Sequence, residues 1–262
     1  MADSVNTEVE EGIIYKKEGK IAKVIINRPR KMNSITKAMG EELNRISDEI
    51  NRDEEIAVVL LTGEGARSFS TGSDINMLGQ YGTPYQLRNR LDYCAAIRNI
   101  RKPVVAKIKG YALGGGLELL MATDIRIADE TSVYAVSEVE HGWTSGSGAT
   151  QLLARQIGYN KAAELVLTGK KIDANEAFRL GIINQIVPQA EIDEYVENML
   201  QSMCKQSGTA MQLIKQNLRA SQNMPMDMGL QYENDLFAFS MTTDDAVEGK
   251  AAFAEKRAPI FK

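Results

Sequence analysis

Three consecutive glycines and two glutamates carry the chemistry that this sequence offers. The run Gly110-Tyr111-Ala112-Leu113-Gly114-Gly115-Gly116-Leu117-Glu118 joins an apolar segment, Pro103-Val104-Val105-Ala106-Lys107-Ile108, to a second one, Leu117-Glu118-Leu119-Leu120-Met121-Ala122. The first is rich in β-branched residues and reads as a strand, the second as a helix. Bare glycine backbone lets a ligand come close to its N–H groups. At a helix start those groups are unpaired and lie at the positive end of the helix dipole. Such a turn suits an oxygen that gains negative charge during a reaction. Glu118, set among leucines, would be desolvated and available for acid/base work. Without these neighbours, three glycines are a flexible loop and a helical glutamate is solvated surface. The spacing matches neither the Walker phosphate loop nor the dinucleotide fingerprint.

A companion turn lies upstream, in Ser68-Phe69-Ser70-Thr71-Gly72-Ser73-Asp74-Ile75. Asp74 can cap a short helix, and Gly72 permits an unusual turn before it. The Ser73 N–H then sits at another helix start. Together with the Gly115 N–H it would form a two-donor oxyanion hole, provided that the fold brings the two turns together. The second acid is Glu138, in Ser137-Glu138-Val139-Glu140-His141-Gly142-Trp143. In an extended segment Glu138 and Glu140 would face opposite sides. Two carboxyl groups converging on one water can divide acid and base roles. His141, the single histidine, is read as a shaper of the pocket.

These residues need a frame. Continuous apolar runs at 21–26, 56–61, 104–108, 125–128 and 182–187 predict buried parallel strands. Helical periodicity appears at 38–51 and 85–100, and again at 150–157 and 161–167, which Gly158 separates. Strands alternating with helices imply right-handed βα units. Beyond Pro188 the pattern turns almost wholly helical, at 191–205, 209–223, 228–240 and 243–255. The expected division is a core of residues 1–190 carrying the site and a helical region of residues 191–262.

Composition narrows the classes further. A chain of 262 residues with 44% hydrophobic content can bury a full core without staples. Two cysteines far apart, Cys94 and Cys204, form no metal or redox motif and read as free thiols of a reducing compartment. The N-terminus has neither a basic region nor an apolar run, so no signal peptide is expected. No stretch has the apolar length of a membrane span. A net charge of −4 argues against a general nucleic-acid binder. A cytoplasmic location is the expectation.

Taken in combination, several motifs resemble those of the crotonase (enoyl-CoA hydratase/isomerase) superfamily. They are Asn27-Arg28-Pro29 with Asn33-Ser34, Ser70-Thr71-Gly72-Ser73-Asp74-Ile75, the glycine turn through Glu118, Asp124-Ile125-Arg126-Ile127-Ala128 and Leu167-Thr168-Gly169-Lys170. The pattern Ala174-x-x-Ala177-x-x-Leu180-Gly181-Ile182-Ile183-Asn184 and the tail Phe253-Ala254-Glu255-Lys256-Arg257-Ala258-Pro259 fit as well. The resemblance implies an α/β fold, a spiral of ββα units followed by helices that assemble homotrimers or homohexamers. It implies an acyl-CoA substrate and neither a metal nor a redox cofactor. The thioester carbonyl would accept hydrogen bonds from the Ser73 and Gly115 N–H groups. By the same match, Glu118 would deprotonate the attacking water and Glu138 would exchange the proton at the α-carbon, which is hydration of a 2-enoyl-CoA to a 3-hydroxyacyl-CoA or its reverse. Arg30 and Lys31 would meet the nucleotide end of the CoA. Thr71, Ser73, Ile75 and Gly114 would line its pocket, and Phe253 and Lys256 would reach the CoA of a neighbouring subunit.

The chain departs from the family pattern after the second acid. His141 replaces an apolar residue, Ser145 a proline and Leu152 an arginine, while Trp143 adds a large ring beside the acyl site. A cyclic, aromatic or polar acyl group is therefore expected. Rival readings are a 3-oxoacyl-CoA hydrolase or ring-opening enzyme, an enoyl-CoA isomerase, and a non-catalytic acyl-CoA or RNA binder. The acidity of residues 37–55 disfavours RNA.

Overall fold

The computed structural model describes residues 11–261; the N-terminal stretch read above lies outside them. The chain opens with the strands β1 (Gly12–Glu18) and β2 (Ile21–Asn27), which form an antiparallel hairpin. Helix α1 (Lys37–Arg52) follows, capped by the Thr36 side chain, and buries Leu43, Ile46 and Ile50 at helical spacing. Next come β3 (Val58–Gly63), β4 (Ser68–Ser70) and the short helices α2 (Ile75–Leu78), α3 (Pro84–Arg88) and α4 (Tyr93–Asn99). The pattern then recurs as β5 (Val104–Ile108), β6 (Tyr111–Leu113) and α5 (Gly115–Met121), then β7 (Ile125–Asp129), β8 (Val133–Ala135), α6 (Ala149–Ile157) and α7 (Tyr159–Thr168).

Alternate strands enter alternate sheets. The larger sheet has the order β1-β2-β3-β5-β7 and then β10 (Gln185–Val187), parallel from β2 onward. The smaller runs β4-β6-β8 and then β9 (Ile172–Asp173), with helix α8 (Ala174–Arg179) following directly. Each turn of the spiral is thus one strand of each sheet plus helical structure, the ββα unit expected from the resemblance. Strands buried on both faces explain why their sequences are continuous rather than alternating.

Three expectations need correction. Residues 85–100 form two helices, not one. Asp92 caps α4 by accepting from the Cys94 N–H, and the preceding link 89–92 leaves the helical path. Strand β10 begins at Gln185, because Ile182 and Ile183 are buried in the turn after α8. Glu138 and Glu140 do not alternate along a strand. Residues Glu138–His141 form a single 3₁₀ turn, in which Glu138 is buried and Glu140 is exposed against Gly169.

The helical region consists of α9 (Ile192–Met203), α10 (Gly208–Ala220), α11 (Met226–Ser240) and α12 (Asp244–Glu255). Helix α9 covers one face of the large sheet, setting Ile192, Val196 and Leu200 against Val58, Leu60, Val105 and Ile127. Lys215 of α10 pairs with Asp124 at 2.5 Å. Helices α11 and α12 present exposed apolar side chains, among them Leu230, Phe237, Val247 and Phe253. Among the described residues no helix is long and apolar enough to cross a membrane.

One close approach fixes how β4 meets α5. A methyl group at Gly116 would overlap the Ser70 carbonyl. The gain from replacing a helical glycine with alanine is at most about 1 kcal/mol, and forced overpacking costs about 1–3 kcal/mol or more. Gly116→Ala should therefore lower stability in denaturant titration; an unchanged or raised midpoint would contradict this packing.

Candidate active site

The first turn is held by side chains from β2 and the residues just after it. Asn33, buried and with positive φ, donates through Nδ2 to the carbonyls of Ser68 at 2.6 Å and Glu64 at 3.0 Å. Its Oδ1 accepts from the Arg28 N–H at 2.9 Å. The Arg28 guanidinium donates to Ser34 Oγ at 3.0 Å and to Asp74 Oδ2 at 2.7 Å. That donor holds the Asp74 carboxyl below its usual range. Asp74 in turn caps α2 by accepting from the Asn76 N–H. Ile35 brackets Ser73 by accepting from the Asp74 N–H and donating to the Gly72 carbonyl. Ser73 itself donates no backbone bond to a protein acceptor among the described residues.

The second turn arrives from β6. Gly114 has φ of 52° and donates its N–H to the Ala135 carbonyl, while its own carbonyl accepts from Leu117 and Glu118. The Gly115 N–H is left with no protein acceptor, as a first-turn helical amide should be. The two turns touch. A methyl group at Gly72 would lie 2.6 Å from the Gly115 nitrogen, and one at Gly115 would lie 3.4 Å from the Ser73 nitrogen. Two unpaired amides from separate turns therefore stand side by side.

Both carboxyl groups face the cavity beside them, a space of about 530 Å³. Glu118 is buried, and its Oε1 accepts from the N–H groups of Ser147 at 2.8 Å and Ala149 at 3.1 Å, at the start of α6. A helix N-terminus suits an anion. Glu138 differs. Its Oε2 is buried with no hydrogen-bond partner. Burial, reinforced by the nearby Glu118 charge, pushes its carboxyl up from 4.5 to about 7. Glu138 is thus placed to carry a proton near neutrality, while Glu118 is held by two backbone donors.

Ser73, Gly114, Gly115, Glu118, Glu138, Thr71, Ile75, His141 and Trp143 all line this one cavity. The rings of His141 and Trp143 stack, with centroids 5.1 Å apart and planes 26° from parallel. Arg30 and Lys31 lie outside the lining, on an exposed turn whose Met32 carbonyl accepts from the Thr71 N–H and side chain. Phe253 and Lys256, at the end of α12, also lie outside it and are exposed. Sequence reasoning missed Tyr93, whose hydroxyl lies 3.1 Å from Ser73 Oγ. It also missed Arg90 and Ser147. Only Ser147 carried a signal, the flanking Gly146 and Gly148 before a helix.

The environment of Glu138 has a stability consequence. The folded protein holds this proton up to about pH 7, whereas an unfolded chain releases it near 4.5. Between those values the folded state binds more protons, so stability falls as pH rises. Glu138→Gln should remove this loss, gaining up to about 3 kcal/mol over wild type between pH 4 and pH 8. A pH-independent difference in urea titrations would contradict the assignment.

Comparisons with known proteins place the chain in a family. The family model described as enoyl-CoA hydratase/isomerase matches residues 16–262. A short-chain-enoyl-CoA hydratase of Clostridium acetobutylicum is 34% identical over 248 residues, covering 94% of this chain and 95% of the relative. The 2,3-dehydroadipyl-CoA hydratase of Escherichia coli is 32% identical over 251 residues, covering 95% and 98%. The crystal structure of an enoyl-CoA hydratase from Bacillus anthracis superposes with a TM-score of 0.88 at 33% identity, covering 96% of this chain and 99% of that one. The chain belongs to the enoyl-CoA hydratase/isomerase family and is a hydro-lyase of the enoyl-CoA hydratase kind.

Proposed function

We propose that the paired amides and paired carboxyl groups of this cavity add water across the double bond of a 2-enoyl-CoA, giving a 3-hydroxyacyl-CoA, and run the reverse elimination. The thioester oxygen would sit against the Ser73 and Gly115 N–H groups, where the charge of an enolate can be met by donors already in place. Glu118, held by two N–H groups at the start of α6, would take a proton from the water as its oxygen bonds to the β-carbon. The electron pair of the double bond moves onto the α-carbon and the thioester, and Glu138 delivers its proton to the α-carbon. Glu118 ends protonated and Glu138 ionised, so one proton is shared by the pair throughout. Every bond change is met by a water, two amides and two carboxyl groups, and the proposed step calls for no metal or redox group.

The observation that carries this reading is the contrast between the two acids, one amide-bound and the other without a partner and protonated to about pH 7. The turn bearing Arg30 and Lys31, tied to Thr71, is suited by charge to phosphates of the CoA. The exposed apolar side chains of α11 and α12 suit burial against further copies, so a homotrimer or homohexamer with Phe253 and Lys256 reaching a neighbouring site is part of the proposal. So are a cytoplasmic location and a cyclic, aromatic or polar acyl group beside Trp143 and His141.

Glu138→Gln should cut kcat for hydration by about 10²–10⁴ while preserving acyl-CoA binding; turnover at the wild-type rate would reject the assigned role. Because hydration consumes no net proton, kcat/KM in both directions should share one alkaline limb near pH 7, where Glu138 loses its proton. The absence of any alkaline limb below pH 9 would overturn the scheme.

A further inference from the structure

Arg90 stands in the link between α3 and α4 and faces the same cavity as the two carboxyl groups. Its guanidinium donates to the carbonyls of Leu87 at 3.1 Å and Gly146 at 3.2 Å and to Ser147 Oγ at 3.0 Å. All three partners are neutral. Arg28 and Arg257 meet carboxylates, on Asp74 and Glu248; Arg90, like several other arginines such as Arg126, meets none among the described residues. Three neutral hydrogen bonds replace part of its hydration but leave the charge of this half-buried cation without a counter-ion. Its planar fork matches a carboxylate better than any other anion acceptor built from carbon and oxygen.

Its position along the acyl path is fixed by one residue. Ser147 gives its backbone N–H to Glu118 and accepts from Arg90 through its hydroxyl. The guanidinium therefore lies one residue beyond the acid assigned to the β-carbon, where the rest of an acyl chain must pass. Leu87, Thr144 and Trp143 supply the walls between. A cavity of about 530 Å³ has room for a chain several carbons longer than a crotonyl group.

We propose that Arg90 receives a carboxylate at the far end of the acyl chain, making the preferred substrate a 2-enoyl-CoA derived from a dicarboxylic acid. This rests on the hydratase reading for the placement of the β-carbon. A purely structural alternative is that Arg90 only clamps the 146–147 turn and so supports Glu118. The two differ in a ratio, because a clamp affects every substrate alike.

The test compares 2,3-dehydroadipyl-CoA with its terminal methyl ester, which has the same chain without the charge, in wild type, Arg90→Gln and Arg90→Lys. Wild type should favour the acid by about 10- to 100-fold in kcat/KM, the range for one hydrogen-bonded charge. Arg90→Gln should bring the ratio near one, and Arg90→Lys should keep part of it. A wild-type ratio near one, or equal losses for both substrates in Arg90→Gln, overturns the proposal. Calorimetric Kd values for saturated adipyl-CoA and its methyl ester are measured alongside. If wild type hydrates neither enoyl substrate, the hydratase reading fails, and the Kd ratio still decides whether Arg90 selects the carboxylate.

Discussion

The close approach of two glycine-bearing turns is the constraint on which the site depends. Gly72 and Gly115 meet without side chains, and Gly116 lies against the Ser70 carbonyl. Any methyl group at these points would push β4 away from α5. The spacing that lets the turns touch also sets the Ser73 and Gly115 amides side by side. Neither amide can be satisfied by its own helix, because both precede the first intrahelical bond. An acceptor brought in by a ligand completes what the fold leaves open.

The two acids owe their difference to the elements that carry them. Glu118 rides on α5 and points at the N-terminus of α6, so the start of one helix neutralises the charge carried by another. Glu138 begins a 3₁₀ turn and turns its carboxyl toward Gly114, with no donor on Oε2. Identical side chains in one cavity thus have different surroundings, two backbone donors on Glu118 and a desolvated, unpartnered oxygen on Glu138. The backbone path alone therefore gives Glu138 a carboxyl that holds its proton to about pH 7.

Much of this was legible in the residues. The central strands β2, β3, β5 and β7 are β-branched and largely buried, so their positions emerged within a few residues, whereas the half-exposed edge strand β1 was not read at all. The strands of the smaller sheet did not emerge, since β4, β6 and β8 have three residues each and no periodicity can be read over so short a span. Both oxyanion turns were visible because glycine and Asp74 act locally, on the backbone beside them. Tyr93 and Arg90 were invisible as site residues, because each acts on a partner distant in sequence: Ser73 and the 146–147 turn. The expected alternation of Glu138 and Glu140 failed for the complementary reason: a single 3₁₀ turn leaves no signature in a stretch of mixed polarity.

The division between fixed and adjustable parts follows from how each is anchored. The amides and both acids lie on segments locked to the sheets: Asn33 ties the first turn to β4, Gly114 bonds to the end of β8, and Glu118 is enclosed in α5. One wall of the cavity is built differently, from the α3–α4 link and residues 141–147, which meet through Arg90 rather than through strand pairing, while the His141–Trp143 stack lies within the second segment. These are also the residues where the chain departs most from the hydratase motif. Substitutions there alter what the cavity holds without moving the donors, whereas a change at Gly72 or Gly116 reaches the donors first. The placement of the amides is thus set by backbone geometry, and the outline of the cavity by side chains on its border.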